Sequence, residues 1–237
     1  MRSVIYNGTI YKLNERTELH HLGEGNYFPH TFEVPEHNKL LDLGALGIKR
    51  ISDIQGLESL TELRRLEIGG NKITTIEGLE SLVNLRELYI DTNKIIYISG
   101  LERLHNLNGL YIGDNNISEI TGLEKLKNLR YLSLDFNQIS EITGLEKLKN
   151  LVKLRLGNNK ISEIKGLETL SNLRVLSLGG NNISDISGLE SLENLESLYL
   201  QRNNISELNG LEDLMNLKTL DLSQNPINDI SPALKRN

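Results

Sequence analysis

The chain has no cysteine, no tryptophan, only four prolines, and aromatic residues at 5% of its 237 positions. Without cysteine there are no disulfide frameworks, thiolate metal sites or thiol nucleophiles, and the composition fits a reducing compartment. With so few aromatics, the core of a chain that is 38% hydrophobic must be aliphatic. No run approaches the roughly 18 consecutive apolar residues that span a bilayer. Met1 to Tyr11 alternates polar and apolar residues instead of forming a signal-type apolar stretch, so a cytoplasmic chain is expected, with no membrane partner. The net charge of -6 argues against phosphate-backbone binding, and no nucleic-acid partner is expected. Sequence signatures for phosphate loops, metalloproteases, serine hydrolases and calcium loops are all missing, so no catalytic residues and no cofactor are expected.

What the chain does have is a repeat. Asn71, Asn93, Asn115, Asn137, Asn159, Asn181, Asn203 and Asn225 recur every 22 residues. Around each stands one aliphatic frame, as in Leu63, Leu66, Ile68, Ile73, Ile76, Leu79 and Leu82. The stretch holding Leu66 and Ile68 predicts a short strand with its apolar residues inward, and Asn71 predicts a tight turn whose amide bonds stranded backbone groups. Gly78 to Leu82 is too short for an α-helix, which predicts a short helical or 3₁₀ return. A single unit cannot bury enough surface to offset its own ordering entropy, so the units must stack.

This frame is that of the leucine-rich repeat, and segments such as Ile120–Glu124 and Ile142–Glu146 resemble its 22-residue cytoplasmic class, whose type member regulates type-one protein phosphatase. The resemblance covers roughly residues 41–230. It implies an α/β solenoid: a right-handed horseshoe with a parallel sheet on the concave face, short turns on the convex face, and a protein partner bound on the concave side without catalysis. Internalin-type adhesins share the period, and Asn228–Leu234 resembles their Ile-Ser-Pro-Leu variant.

Both ends depart from the frame. Leu41, Leu43, Leu46, Ile48 and Ile51 match it at an offset of 25, which predicts a longer first repeat without its Asn. Val4–Tyr6 and Thr9–Tyr11 flank Asn7-Gly8, a hairpin signal, and Tyr27, Phe28 and Phe32 suggest a further strand. The expected organisation is a β-rich cap over residues 1–38 and a solenoid of about nine repeats over 39–237, the last truncated. A thin C-terminal cap leaves the last strand, near Leu220 and Leu222, open to weak end-to-end self-association through the C-terminal repeat.

Of the eight Tyr and three Phe, Tyr89, Tyr111, Tyr131, Phe136 and Tyr199 fall in concave columns. Strands sit about 4.8 Å apart, so the first four of these form one cluster, with Glu87, Asp91, Asp114 and Asp135 around it. Lys153, Arg155 and Arg202 turn the later repeats positive. Aromatic anchors with a charged rim compose a protein-binding hot spot. Ile96 and Tyr97 stand where other repeats carry Ser and Glu, and form a second expected contact. The Glu ladder Glu58, Glu80, Glu102, Glu124, Glu146, Glu168, Glu190 and Glu212 stands three residues after Ser, Thr or Asn in most copies, which is capping-box spacing. A second ladder, Glu119, Glu141, Glu163, Asp185, Glu207 and Asp229, reads as a solvated edge that discourages aggregation. His20, His21, His30 and His37 have no compact metal spacing.

Overall fold

The computed structural model describes residues 3–6, 9–12, 14–15 and 39–229. Three-residue strands at the 22-residue pitch build the sheet: β5 (Arg65–Glu67), β6 (Glu87–Tyr89), β7 (Gly109–Tyr111), β8 (Tyr131–Ser133), β9 (Lys153–Arg155), β10 (Val175–Ser177), β11 (Ser197–Tyr199) and β12 (Thr219–Asp221). All pair parallel and in step, so Leu66, Leu88, Leu110, Leu132, Leu154, Leu176, Leu198 and Leu220 form one row. The alternation explains the strand faces. Leu66 and Ile68 point inward with no exposed surface, and so do Leu63, Ile73, Ile76, Leu79 and Leu82 from the rest of the coil. Each aliphatic position repeats against its own copy in the next coil, giving one continuous core from Leu41 to Leu214.

The asparagine turn carries the load predicted for it. Asn137 Nδ2 donates to the carbonyls of Leu134 (3.1 Å) and Ile112 (3.2 Å), and its Oδ1 accepts the Ile117 N–H (3.0 Å). Asn159 makes the same set one coil later, to Leu156, Leu134 and the Ile139 N–H. Each strand-end carbonyl thus serves two asparagines, its own and the next.

The expected short return is present. Among the described residues, Ile51–Asp53 and Leu57–Ser59 in the first repeat are 3₁₀ helices. Later coils use tandem tight turns, such as Leu82 N–H to Leu79 O and Leu85 N–H to Leu82 O, each 2.9 Å. A buried Leu every third residue, as at Leu79, Leu82 and Leu85, suits three-residue turns. A wider helix would not fit a coil of this length.

The glutamate ladder is corrected. Glu80, Glu102, Glu146, Glu168, Glu190 and Glu212 do start the convex turn, but each carboxylate accepts the N–H of the glycine two residues earlier, at 2.8–3.2 Å. The residue three back in the capping box is not the partner.

The first repeat is longer as expected: β4 (Lys39–Asp42) pairs parallel with β5 through Leu41↔Leu66, an offset of 25. Asn71 compensates for its missing Asn by accepting from both the Leu46 and Ile48 N–H groups and donating to Leu43 O, all at 3.0 Å. Ahead of it, β1 (Ser3–Tyr6) and β2 (Thr9–Lys12) form an antiparallel pair with Tyr6 opposite Thr9, while β3 (Asn14–Glu15) pairs antiparallel with β4. The turn residues Asn7 and Gly8, the aromatics Tyr27, Phe28 and Phe32, and His20, His21, His30 and His37 lie outside the described residues. At the far end β12 closes the ten-stranded sheet order. Leu217, Leu220 and Leu222 there are only partly buried, and Met215 is 85% exposed.

Candidate protein-binding face

The concave cluster is built from side chains of neighbouring strands at one height. Tyr89 of β6 and Tyr111 of β7 are direct register partners, and their rings stack with centroids 4.2 Å apart and planes 9° from parallel. Gly109 makes room for this pair: a Cβ there would sit 3.0 Å from Tyr111 Cε2. On the other side the Arg65 guanidinium lies 4.3 Å above the Tyr89 ring. The result is a layered stack of Arg65, Tyr89 and Tyr111 across three strands. Burial raises the Tyr89 hydroxyl well above the ordinary phenol range and pushes Tyr111 up to about 12, so both remain neutral hydrogen-bonding groups.

Arg65 also holds two carboxylates, Glu67 at 2.6 Å and Glu87 at 3.2 Å. Burial raises the Glu87 carboxyl, and Arg65 pulls it back only in part. The expected acidic patch is therefore corrected at its centre. Glu87 is neutralised by a cation that bridges repeats, and the row leads with a guanidinium. Asp135 is corrected too: it is 4% exposed, ion-paired with Arg155, and its Oδ1 accepts the Gly157 N–H at 2.7 Å. Burial raises its carboxyl, with Arg155 the main opposing influence. Asp135 and Arg155 hold two coils together and offer little charge to a partner. In the later repeats Arg155 is committed to Asp135, while burial, with Arg155 beside it, lowers the Lys153 ammonium to about 8 and leaves it cationic at neutral pH.

Asp91 is half-buried beneath the strand ends, its carboxyl raised chiefly by burial, while Asp114 is exposed. Tyr131 is half-buried one strand beyond Tyr111, with Arg130 6.0 Å from its ring, and Tyr199 stands apart on β11. Phe136 lies on the rim just past β8. It is 49% exposed and held at φ 56°, in the left-handed region that disfavours a bulky side chain. The same place holds Gly70 and Gly180 at φ 67° and 71°, and Thr92, Asp114, Asn158, Arg202 and Gln224 at φ 51–58°, so positive φ belongs to the frame and Phe136 is the aromatic among them. Ile96 and Tyr97 lie outside the cluster, on the flank after the asparagine turn, and both are exposed as expected, at 51% and 55%. The acidic ladder from Glu119 to Asp229 is exposed throughout.

Two further features went unread in the sequence. Arg65 has a signal in hindsight, a cation beside the first tyrosine column. The other is a second asparagine ladder, Asn84, Asn106, Asn128, Asn150, Asn172, Asn194 and Asn216, visible at the same 22-residue pitch. Each donates to a backbone carbonyl of the previous coil, as Asn128 to His105 O at 2.8 Å. Among the described residues no group of three or more acidic or histidine side chains is placed to hold a metal, and no helix is long and apolar enough to cross a membrane.

Against known proteins, the family model for leucine-rich repeats in pairs matches residues 61–103, 105–147, 149–191 and 193–235. The chain belongs to the leucine-rich repeat family. No curated protein matches the chain. Among solved structures it is similar to internalin C2 of Listeria monocytogenes, with 35% identity over 78% of this chain and 80% of that one, at a TM-score of 0.72. It is also similar to the functional domain of internalin J from the same organism, which includes a cysteine ladder, with 28% identity over 81% of this chain and 40% of that one, at a TM-score of 0.68. The toll-like receptor TLR13 in its complex with single-stranded RNA is 28% identical, over 72% of this chain and 27% of that one, at a TM-score of 0.65.

Proposed function

We propose that the protein is a non-enzymatic interaction module that captures a protein partner on its concave face, centred on Arg65, Tyr89, Tyr111 and Tyr131 and rimmed by Phe136. The observation that carries this reading is the stack Arg65–Tyr89–Tyr111. Its amphipathic groups are the types that dominate interface energetics, and they are pre-organised by stacking and ion pairing, so little entropy is lost on docking. Exposed Phe136 adds an aromatic anchor on the rim of the same face. The repeat family supports a binding role over catalysis. Regulation of a phosphatase is one form of that role, implied by the 22-residue class.

The experiment is affinity capture from the native cell with Tyr89→Ser, Tyr111→Ser and Tyr131→Ser combined. Serine already stands at Ser133, Ser177 and Ser197 of the same columns, so the sheet accommodates it. Partner recovery is expected to fall by at least about tenfold, equivalent to about 1.4 kcal/mol. Phe136→Gly is expected to weaken recovery while leaving the unfolding midpoint unchanged or raised. Undiminished recovery in the tyrosine variant removes the site.

The likeness to internalin C2 supports a second setting for the same binding role, an exported adhesin in place of a cytoplasmic adaptor. Fractionation of the native cell is the check: surface-accessible protein is the outcome for the adhesin, and protein confined to the cytosol eliminates it.

A further inference from the structure

Where each coil turns into its strand, on the edge opposite the acidic ladder, the second asparagine ladder floors an open groove of about 490 Å³. Asn106, Asn128, Asn150 and Asn172 form the floor, and Arg130 and Arg174 stand on its inner wall. Each floor amide spends one N–H on the carbonyl of the preceding coil, Asn150 on Lys127 O and Asn172 on Lys149 O, both at 2.9 Å. This bond fixes the amide and leaves a second N–H and the carbonyl oxygen for a ligand. Lys127 and Lys149, whose backbone carbonyls accept these bonds, are themselves exposed. Although the chain carries 32 acidic against 26 basic residues, no carboxylate lines the groove. Arg174 keeps one nitrogen on Glu196 at 2.9 Å, which marks the end of the basic stretch.

We propose that this groove binds an extended acidic segment of a protein partner, distinct from whatever the tyrosine face holds. The Arg130 and Arg174 guanidinium groups select the charge, and a row of fixed amides offers N–H groups to the carbonyls of an extended backbone. Spacing narrows the choice further. Arg130 and Arg174 stand two coils apart, about 9.6 Å at ordinary strand separation. A polyproline-type chain returns to the same face every three residues, about 9.3 Å. An acidic residue at every third position of such a chain would meet successive guanidinium groups. Single-stranded nucleic acid fits less well: no aromatic side chain lines the groove to stack a base.

The test is fluorescence anisotropy on the intact protein with a labelled (Pro-Pro-Glu)₄ peptide. A (Pro-Pro-Pro-Glu)₄ peptide carries equal charge but spreads its carboxylates around the helix axis. The first peptide is expected to bind at least about fivefold tighter than the second. Combined Arg130→Glu and Arg174→Glu substitutions, both at exposed positions, are expected to weaken it at least about tenfold. A Tyr89→Ser, Tyr111→Ser variant, which leaves Tyr131 beside Arg130 in place, is expected to bind the peptide unchanged, so this site and the concave one succeed or fail separately. Equal binding of the two peptides, full binding by the charge-reversed variant, or tighter binding of oligothymidylate or heparin than of the peptide would overturn the proposal.

Discussion

Asn137→Ala is expected to lower the stability of the solenoid by about 3 kcal/mol, read from equilibrium urea denaturation followed by far-ultraviolet circular dichroism. The estimate comes from counting which bonds have a substitute. Leu134 O keeps Asn159 Nδ2 and Ile112 O keeps Asn115 Nδ2, so each carbonyl loses one of two donors. Ile117 N–H loses the Asn137 oxygen outright, and Asn137 is 3% exposed, so water cannot replace it cheaply. One orphaned donor costs about 1–3 kcal/mol, and the weakened carbonyls add a smaller amount. Asn128→Ala is the control. Its single bond to His105 O is exposed, and its loss is expected to cost less than about 1 kcal/mol. Equal effects of the two substitutions would show that burial does not distinguish the ladders, contrary to this account.

Gly144→Ala is expected to be at least as damaging, at about 3–4 kcal/mol, with strain and collision acting together. Gly144 sits at φ 71°, where a Cβ costs about 1–2 kcal/mol on its own. That Cβ would also run into the carbonyl oxygen of Ile120, the neighbour that stacks beneath it one coil earlier. Backbone cannot yield as a flexible side chain can, so the coils must move apart and loosen the packing of Leu145 on its copies. Gly122, Gly166 and Gly188 stand in the same position against Ile98, Ile142 and Ile164. Gly47, also at positive φ but with nothing within 4 Å of a Cβ, separates the two contributions. Gly47→Ala is expected to show the strain alone. A Gly144→Ala midpoint within error of the Gly47→Ala midpoint would rule out the collision.

The coil itself was legible because its determinants are local and repeated. A buried Leu or Ile recurs at the same phase, and that phase fixes both the strand and the side chains facing its two sides. The tyrosine columns were legible for the same reason: Tyr89 and Tyr111 alternate with Leu88 and Leu110, so their direction follows from the period. What escaped was set by neighbours 22 residues away whose side chains vary. Asp135 looks like a surface acid until Arg155 is known to close over it, and Glu87 looks like a free carboxylate until Arg65 bridges to it. The glutamate turns were misread because spacing alone does not say which backbone N–H a carboxylate will reach.

The shared carbonyls carry a consequence for how such a chain changes length. Ile112, Leu134 and Leu156 each offer the same oxygen to the same two kinds of amide. Excising or duplicating one whole 22-residue unit therefore joins ends that already fit, and no seam has to be invented. The protein is in this sense an adjustable ruler whose reach can be reset in steps of about 4.8 Å. Each such step changes the distance between the tyrosine stack and the coils beyond the inserted or deleted unit.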